Sequence, residues 1–510
     1  MDRNDFEQIP DLGHVAACSR YLASLLRQEG HVHWLWTQGH LKRAYPLTEL
    51  YKDLRSQAEP CTRLEELSQV FRTFKQRHFL RIGSRDYLGL ADFKQCTTSL
   101  SDLAEVCLQV GYDWLVKNSE LWSRSQFSKG ECAAQLSDFV VLGMGKLGGR
   151  ELNYVSDIDL LFLQSARDPA RRPDNELKIN FARTLSRLLD QWESGDRVFN
   201  VDLRLRPKGK DGDLVPAINA AVYHYQLYGQ AWERQALLKA RALAGDRGIG
   251  NLFLKEIRPF VFRRFLDFQA LDELKGMRDK ILAEESQKAL QSSGDVKLGI
   301  GGIREIEFII QSFQLIYGGR YRELNEANTL KCLEVLQKIK LVPVQMLQEL
   351  QEAYIFQRRV EHWVQLDQNK QSHKVPRSES DQARLARALG FGDDLQAFHT
   401  LLDEHRRVVH EHFSAMFQQK EADARPPKGR KGSGTGPEVK PGWEDLQSLF
   451  TTEVITHLQD IREESAEQAE GGSTDLPKGV ETFLHQVKTR PGLVRLINQG
   501  PFWLRDVLKG

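Results

Sequence analysis

The segment Leu142–Leu163, LGMGKLGGRELNYVSDIDLLFL, decides the fold. It joins a glycine cluster to DIDLLFL, an apolar segment that carries two aspartates. A second apolar run, FVVLG, begins at Phe139 and overlaps the start of the segment. Both apolar runs have the composition typical of strands. A third strand signal, RVFNVDLRLR from Arg197, follows a helix candidate whose apolar residues form one stripe. We therefore predict a small sheet that carries helices.

Helical patterns lie on both sides of this sheet. Apolar residues recur at helix spacing from His14 to about residue 130, and the pattern returns after Ala221 and persists to Lys420. We predict an α+β fold that is predominantly helical, with a small mixed sheet. The predicted units are an N-terminal helical region (1–130), a core with the sheet (131–260), a helical domain (261–423), a flexible Gly-, Pro- and Lys-rich linker (424–442) and the start of a further helical region (443–510).

Composition narrows the class of protein. The chain has 510 residues, which exceeds the length that a single hydrophobic core usually organises. It contains 71 Lys and Arg residues against 70 Asp and Glu residues. No overall positive field favours a nucleic-acid partner. No apolar run approaches the roughly 20 residues that span a bilayer, and the N-terminus lacks a signal-peptide core. These features predict a cytoplasmic protein without a membrane or nucleic-acid partner, and the six scattered cysteines predict reduced, buried thiols.

The glycine cluster GMGKLG matches GxGxxG after a strand. A dinucleotide-binding fold needs a full crossover helix here, but the next strand begins near Asp157, too soon for one. A Walker A loop needs Ser or Thr after its lysine, and Lys146 is followed by Leu147. Two interpretations remain: a turn whose backbone amides approach a phosphate beside Lys146, or a turn that packs two strands closely.

The acids predict a metal site. Strand side chains alternate, so Asp157 and Asp159 share one face, where two charges roughly 6 Å apart repel by about 3 kcal/mol. A divalent cation such as Mg²⁺ or Mn²⁺ would relieve this repulsion. On the third strand, Asp202, Arg204 and Arg206 share a face and offer a third carboxylate with two phosphate-binding guanidiniums. The alternative is an exposed edge strand whose acids pair with arginines.

Five segments in order resemble one family, the bifunctional glutamine synthetase adenylyltransferase/adenylyl-removing enzymes of the polymerase β-like nucleotidyltransferase superfamily. They are GMGKLGGRELNYVSDIDLLF, VDLRLRPKGKDGDLV, YGQAWERQALLKARALAGD, RPFVFRRFLDF and GGIREIEFIIQSFQLIYGG. Enzymes of this family have two homologous nucleotidyltransferase halves, one that attaches AMP to a tyrosine of glutamine synthetase and one that removes it. This sequence contains one copy and resembles the N-terminal, adenylyl-removing half.

The resemblance implies roles for individual residues. Asp157, Asp159 and Asp202 would be the catalytic metal ligands. The implied nucleotide- and phosphate-binding residues are Gly145, Lys146, Gly148, Gly149, Ser156, Arg204 and Arg206. Weaker candidates, which are equally well explained as solvated or helix-stabilising charges, are Glu233, Arg234, Lys239, Arg241, Arg304, Glu305 and Glu307.

The implied function is deadenylylation of glutamine synthetase, in which inorganic phosphate attacks the AMP-tyrosine and gives ADP. The implied cofactor is Mg²⁺ or Mn²⁺, and the implied partners are glutamine synthetase, the PII signal protein and a second adenylyltransferase half in the full-length chain. Two alternatives stay open: AMP transfer from ATP to the tyrosine, and a non-catalytic module that senses nucleotide or PII. The metal site alone does not fix the direction, because both reactions use the same ligands.

Overall fold

The computed structural model describes residues 10–123, 128–165, 172–190, 197–263, 274–283 and 294–416. Within these ranges the fold is α+β and mostly helical, with one small mixed sheet, which confirms the predicted fold class. The predicted linker (424–442) and the region after it (443–510) lie outside the described residues, and the predicted domain boundaries stay predictions.

The N-terminal region is helical, as predicted. Two of its helices begin at capping boxes, in which Asp92 pairs with Gln95 and Ser128 with Glu131. The helices are α1 (Pro10–Cys18), α2 (Arg20–Leu26), α3 (Glu29–Val32), which continues into a π-helical turn (His33–Thr37), α4 (Leu47–Ala58), α5 (Leu64–Tyr87), α6 (Phe93–Lys117) and α7 (Lys129–Leu136).

Four strands form the sheet, in the order β3-β2-β1-β4. The central strand β1 is antiparallel to both β2 and β4, whereas β3 runs parallel to β2. The strands are β1 (Phe139–Gly143), β2 (Ile158–Gln164), β3 (Val201–Asp202) and β4 (Arg241–Gly245). The helices between and after them are α8 (Gly145–Gly148), α9 (Arg172–Asp190), α10 (Ile218–Tyr228), α11 (Ala231–Leu237) and α12 (Arg247–Val261).

Two details of the predicted sheet are wrong. The third strand ends at Asp202, and the chain then turns, because the Arg206 guanidinium donates hydrogen bonds to the carbonyls of Leu203, Lys210 and Gly212. The fourth strand, β4, was predicted to be helical. Its sequence RALAG has good helix formers, but pairing with β1 overrides that local preference.

The C-terminal described region is helical again and packs on the same core. One hydrophobic cluster extends from Leu12 in α1 through Phe162 in β2 to Phe413 near the end of the described chain. The helices are α13 (274–283), α14 (Ile303–Tyr317), α15 (Thr329–Lys338), α16 (Val344–Gln368), α17 (Glu379–Ala388) and α18 (Leu395–Ala415). The sheet therefore lies between two helical regions that share its core.

Two further sequence predictions concern the cysteines and the lack of a membrane-spanning segment. All six cysteines are free thiols; five are buried and Cys61 is half-buried, which agrees with the predicted reduced state. None of the helices in the described ranges is long and apolar enough to cross a membrane.

The pKa of Asp86, a buried carboxyl group, predicts how the stability of the protein depends on pH. It is buried in the last turn of α5, and burial raises its pKa from 3.8 to about 6, an effect that Arg359 partly offsets. The folded protein thus binds this proton more tightly than the unfolded chain, so the stabilising contribution is complete below about pH 4 and is lost as the pH rises through about 6.

We therefore expect Asp86→Asn to raise the free energy of unfolding by about 2–3 kcal/mol at pH 8 and to have little effect near pH 4. Urea denaturation at the two pH values measures both quantities. An equal change at both pH values would show that Asp86 is not protonated on folding.

Candidate active site

Asp157, Asp159 and Asp202, which the sequence places on two strands, line one cavity of about 490 Å³. The parallel pairing of β2 with β3 sets Asp159 beside Asp202. Asp157 directly precedes β2 and accepts hydrogen bonds from Asn200 Nδ2 (2.6 Å) and Gln371 Nε2 (3.3 Å). The predicted convergence of the three carboxylates on one cavity is thus present in the fold.

The three carboxylates have different electrostatic surroundings. Burial, together with the charges of Asp202 and Asp157, raises the pKa of Asp159 to about 6. The pKa of Asp202 is lowered by hydrogen bonds from Arg204, whose Nε lies 3.0 and 2.8 Å from the two carboxylate oxygens and whose Nη2 lies 2.5 Å from one of them. The negative charge at Asp159 is therefore the poorly compensated one.

A divalent cation fits the chemistry of this cavity. Three carboxylates line it, and their repulsion, seen in the raised pKa of Asp159, is what a bound cation would relieve. In the described part of the chain, however, no three His, Cys, Asp or Glu side chains are already arranged to hold a metal ion. Both oxygens of Asp202 accept hydrogen bonds from Arg204, so this side chain would have to change partners.

Three lysines line the same cavity. Lys146 Nζ lies 3.2 Å from both carboxylate oxygens of Glu361, and burial lowers its pKa to about 8 although Glu361 opposes the shift. Lys239 Nζ lies 2.6 Å from Glu151 Oε2 and 3.5 Å from Glu307 Oε1. With Lys297, these side chains make the cavity suitable for an anion that also contacts a cation held by the aspartates.

The glycines of the turn differ in their surroundings, and the approach of backbone amides to a phosphate stays a prediction. Gly145 lines the cavity at φ +53°, and a Cβ there would lie 2.6 Å from Asp159 Oδ2. Gly148 packs instead, because a Cβ there would lie 1.6 Å from the Lys239 carbonyl oxygen. Gly149 also packs against backbone, because a Cβ there would lie 2.9 Å from the Ala327 carbonyl oxygen. The first glycine faces the cavity, and the last two allow close packing.

The structure separates the other predicted residues into two groups. Ser156, Arg204, Lys239 and Glu307 line the cavity. The predicted residues that do not line it are Gly148, Gly149, Arg206, Glu233, Arg234, Arg241, Arg304 and Glu305.

Several of the second group have structural contacts. Glu233 accepts a hydrogen bond from Gln230 N in the capping box of α11, and Glu305 accepts one from Gly301 N and contacts His410. Arg241 lies in β4 rather than on the helix predicted for WERQALLKAR; its guanidinium pairs with Glu105 (2.6 Å) and donates to two carbonyls of the glycine turn. Arg241 therefore supports the glycine turn from outside the cavity, whereas the contacts of Glu233 and Glu305 stabilise their own helix starts.

Seven residues that line the cavity were not among the predicted site residues. They are Leu205, Trp232, Gln235, Ala236, Lys297, Gln311 and Gln371. Helix spacing could have suggested that Trp232, Gln235 and Ala236 share a face, but nothing local marks Lys297, Gln311 and Gln371, which come from segments far along the chain.

A small mixed sheet that brings three carboxylates and several lysines to one cavity agrees with the nucleotidyltransferase class. Comparison with known proteins makes this more specific. Residues 9–256 match the family model of glutamate-ammonia ligase adenylyltransferase, and residues 275–417 match that of GlnD PII-uridylyltransferase. The chain is therefore similar to about the N-terminal part of the bifunctional glutamine synthetase adenylyltransferase/adenylyl-removing enzymes.

Curated relatives with that name align with most of the chain. The protein of Nitrosococcus oceani is 40% identical over 407 residues, which are 78% of this chain and 41% of the relative. Those of Thioalkalivibrio sulfidiphilus and Pseudomonas putida are 39% and 38% identical over 81% and 88% of this chain, and 41% and 45% of the relatives. The chain thus spans less than half the length of these relatives and matches about their N-terminal part.

Proposed function

We propose that the chain removes AMP from a tyrosine of glutamine synthetase by phosphorolysis and gives ADP and the unmodified enzyme. The observation that carries the proposal is the single cavity lined by Asp157, Asp159 and Asp202 together with three lysines and Arg204. The direction rests on the resemblance to the adenylyl-removing half, and the match to about the N-terminal part of the relatives supports it.

The residues of the cavity have the chemistry that this reaction needs. Asp157, Asp159 and Asp202 would hold a divalent metal ion, which neutralises charge on the phosphates when bound. Lys146, Lys297 and Arg204 provide cations for phosphate oxygens.

The reaction itself is a displacement at phosphorus. A phosphate oxygen forms a bond to the phosphorus of AMP while the bond from phosphorus to the tyrosine oxygen breaks, and the phenolate then takes a proton from water. Inorganic phosphate is already anionic near neutral pH, so the reaction requires no general base. Positioning and charge neutralisation are then the main contributions of the protein.

A second candidate is regulatory. The match of residues 275–417 to the PII-uridylyltransferase model favours a relation of the helices after the sheet to the PII signal protein. We propose PII as a partner that acts on the reaction, together with the second nucleotidyltransferase half of the full-length protein. The predicted cytoplasmic location stays a prediction.

The assay that tests the proposal combines the purified chain with adenylylated glutamine synthetase, Mg²⁺ and inorganic phosphate. We expect ADP to form in proportion to the AMP lost from glutamine synthetase, and no ADP to form without phosphate. A parallel reaction with unmodified glutamine synthetase and ATP tests the reverse direction. AMP attachment in that reaction, without phosphorolysis in the first, would assign the chain the adenylyltransferase activity; inactivity in both would leave only the regulatory role.

A further inference from the structure

The cavity lining also contains aromatic and apolar residues. Trp232 on α11 lines the cavity and is 46% exposed, although large apolar side chains are usually covered. Gln235 and Ala236 follow three and four residues later and therefore lie on the same helix face. Leu205, just after β3, also lines the cavity. The lining thus combines charged side chains with apolar ones and an exposed indole.

A pair of amides lies next to this indole. Gln235 Nε2 donates a hydrogen bond to Gln311 Oε1 (2.5 Å), which joins α11 to α14. This bond leaves Gln235 Oε1 as an acceptor and Gln311 Nε2 as a donor, both on side chains that line the cavity. An edge of adenine presents the complementary pair, the N6 amino donor beside the N7 acceptor, whereas guanine presents two acceptors, O6 and N7, at that edge.

We propose that this face is the subsite for the adenine base of the nucleotide, with Trp232 stacked on the base and the Gln235–Gln311 pair bonded to its edge. The proposal rests on the proposed function, which places the phosphates of the same nucleotide at the carboxylates and lysines. A cavity of about 490 Å³ lies in the size range of sites that bind small molecules. Stacking on an aromatic ring contributes about 1–3 kcal/mol per base.

A comparison of the affinities for ADP and for inorganic pyrophosphate, each measured with Mg²⁺, distinguishes contacts to the base from contacts to the phosphates. We expect Trp232→Ala to weaken ADP binding about 10- to 100-fold in isothermal titration calorimetry and to leave pyrophosphate binding within about twofold of the parent. Trp232→Phe should retain most of the ADP affinity because the ring is kept. Trp36→Ala removes another exposed tryptophan, which is 37% exposed and does not line the cavity. This control should leave the affinities for ADP and pyrophosphate unchanged.

The amide pair has its own test. The parent should bind ADP more tightly than GDP, and Gln235→Leu should remove most of that preference, because it deletes the acceptor for the adenine N6 amino group, where guanine presents the acceptor O6. An equal affinity of the parent for ADP and GDP would overturn the role of the amide pair.

Two results would overturn the subsite and differ from failure of the proposed function. The first is that Trp232→Ala binds ADP as tightly as the parent does. The second is that it loses affinity for ADP and pyrophosphate to the same extent, which would indicate a structural role for the indole. If the parent binds neither ADP nor pyrophosphate, the proposed function itself is wrong.

Discussion

Replacing Asp159 with asparagine is expected to lower the rate of ADP formation from adenylylated glutamine synthetase by about a thousandfold or more. Asp159 is the carboxylate whose charge is least compensated, because burial and the two neighbouring aspartates raise its pKa to about 6. It should therefore contribute most to holding a divalent cation. The rate is measured as ADP released under saturating Mg²⁺ and phosphate.

The same substitution should not destabilise the protein. At neutral pH the charged Asp159 repels Asp157 and Asp202, so the neutral amide should leave the free energy of unfolding unchanged or higher. The matched control is Asp393→Asn, whose side chain is 91% exposed and lies outside the cavity lining; it should keep full activity. Substantial activity in Asp159→Asn, or lost activity explained by unfolding, would contradict the role of this carboxylate.

The largest expected effect on stability is that of Glu361→Gln. Glu361 lies fully buried in α16, where its oxygens are 3.2 Å from Lys146 Nζ, 3.2 Å from Arg358 Nε and 2.8 Å from His373 Nδ1. Burial alone would raise the pKa of Glu361, but Lys146, His373 and Arg358 hold it well below its usual range. The carboxylate is thus the shared partner of the fully buried Arg358 and of Lys146 and His373, which are partly exposed.

Removing that charge leaves the fully buried Arg358 and the mostly buried Lys146 without their shared partner. Breaking a buried ion pair in this way typically costs about 3–5 kcal/mol. We expect Glu361→Gln to lower the free energy of unfolding by this amount, as measured by urea denaturation at neutral pH. The control is Glu411→Gln, which breaks a solvent-exposed pair with Arg407 (2.7 Å) and should cost less than about 1 kcal/mol. Equal effects of the two substitutions would show that the buried network does not stabilise the fold.

Glu361 also connects the cavity to the helices after the sheet. Lys146, from the glycine turn, and Glu361 are 215 residues apart in sequence, and Arg358 Nη2 donates to the Glu151 carbonyl (2.6 Å) and to Asn153 Oδ1 (2.6 Å). The segment between β1 and β2 is therefore held by α16. Loss of stability in Glu361→Gln should be accompanied by weaker activity, because Lys146 lines the cavity.

Local sequence predicted the parts of the site that depend on strand geometry. The apolar runs of β1 and β2 and the alternation of Asp157 with Asp159 suffice to place acids on one face, and the third acid followed from a second strand. The prediction failed for Arg206, because it assumed that the strand continues past Asp202. It also missed β4, whose strand conformation depends on pairing with β1 across a long sequence separation.

Residues brought in by long-range packing could not be predicted from one sequence. Lys297 and Gln371 look like ordinary polar surface residues, and only the packing of the C-terminal helices on the sheet brings them to the cavity. Glu361 lies in a helix with other charged residues and gives no local sign that it is the buried partner of Lys146. The candidate metal-binding acids could be identified from the sequence. The residues that surround them and change the pKa values in the site could not.

A crystal of the protein soaked with Mn²⁺ and ADP tests the central claim most directly. Anomalous scattering at the manganese edge should give a peak in contact with carboxylate oxygens of Asp157, Asp159 and Asp202, with the phosphates of ADP next to it and Arg204 released from Asp202. ADP bound at another place, or a cavity that holds ADP with no manganese among the three aspartates, would contradict the account.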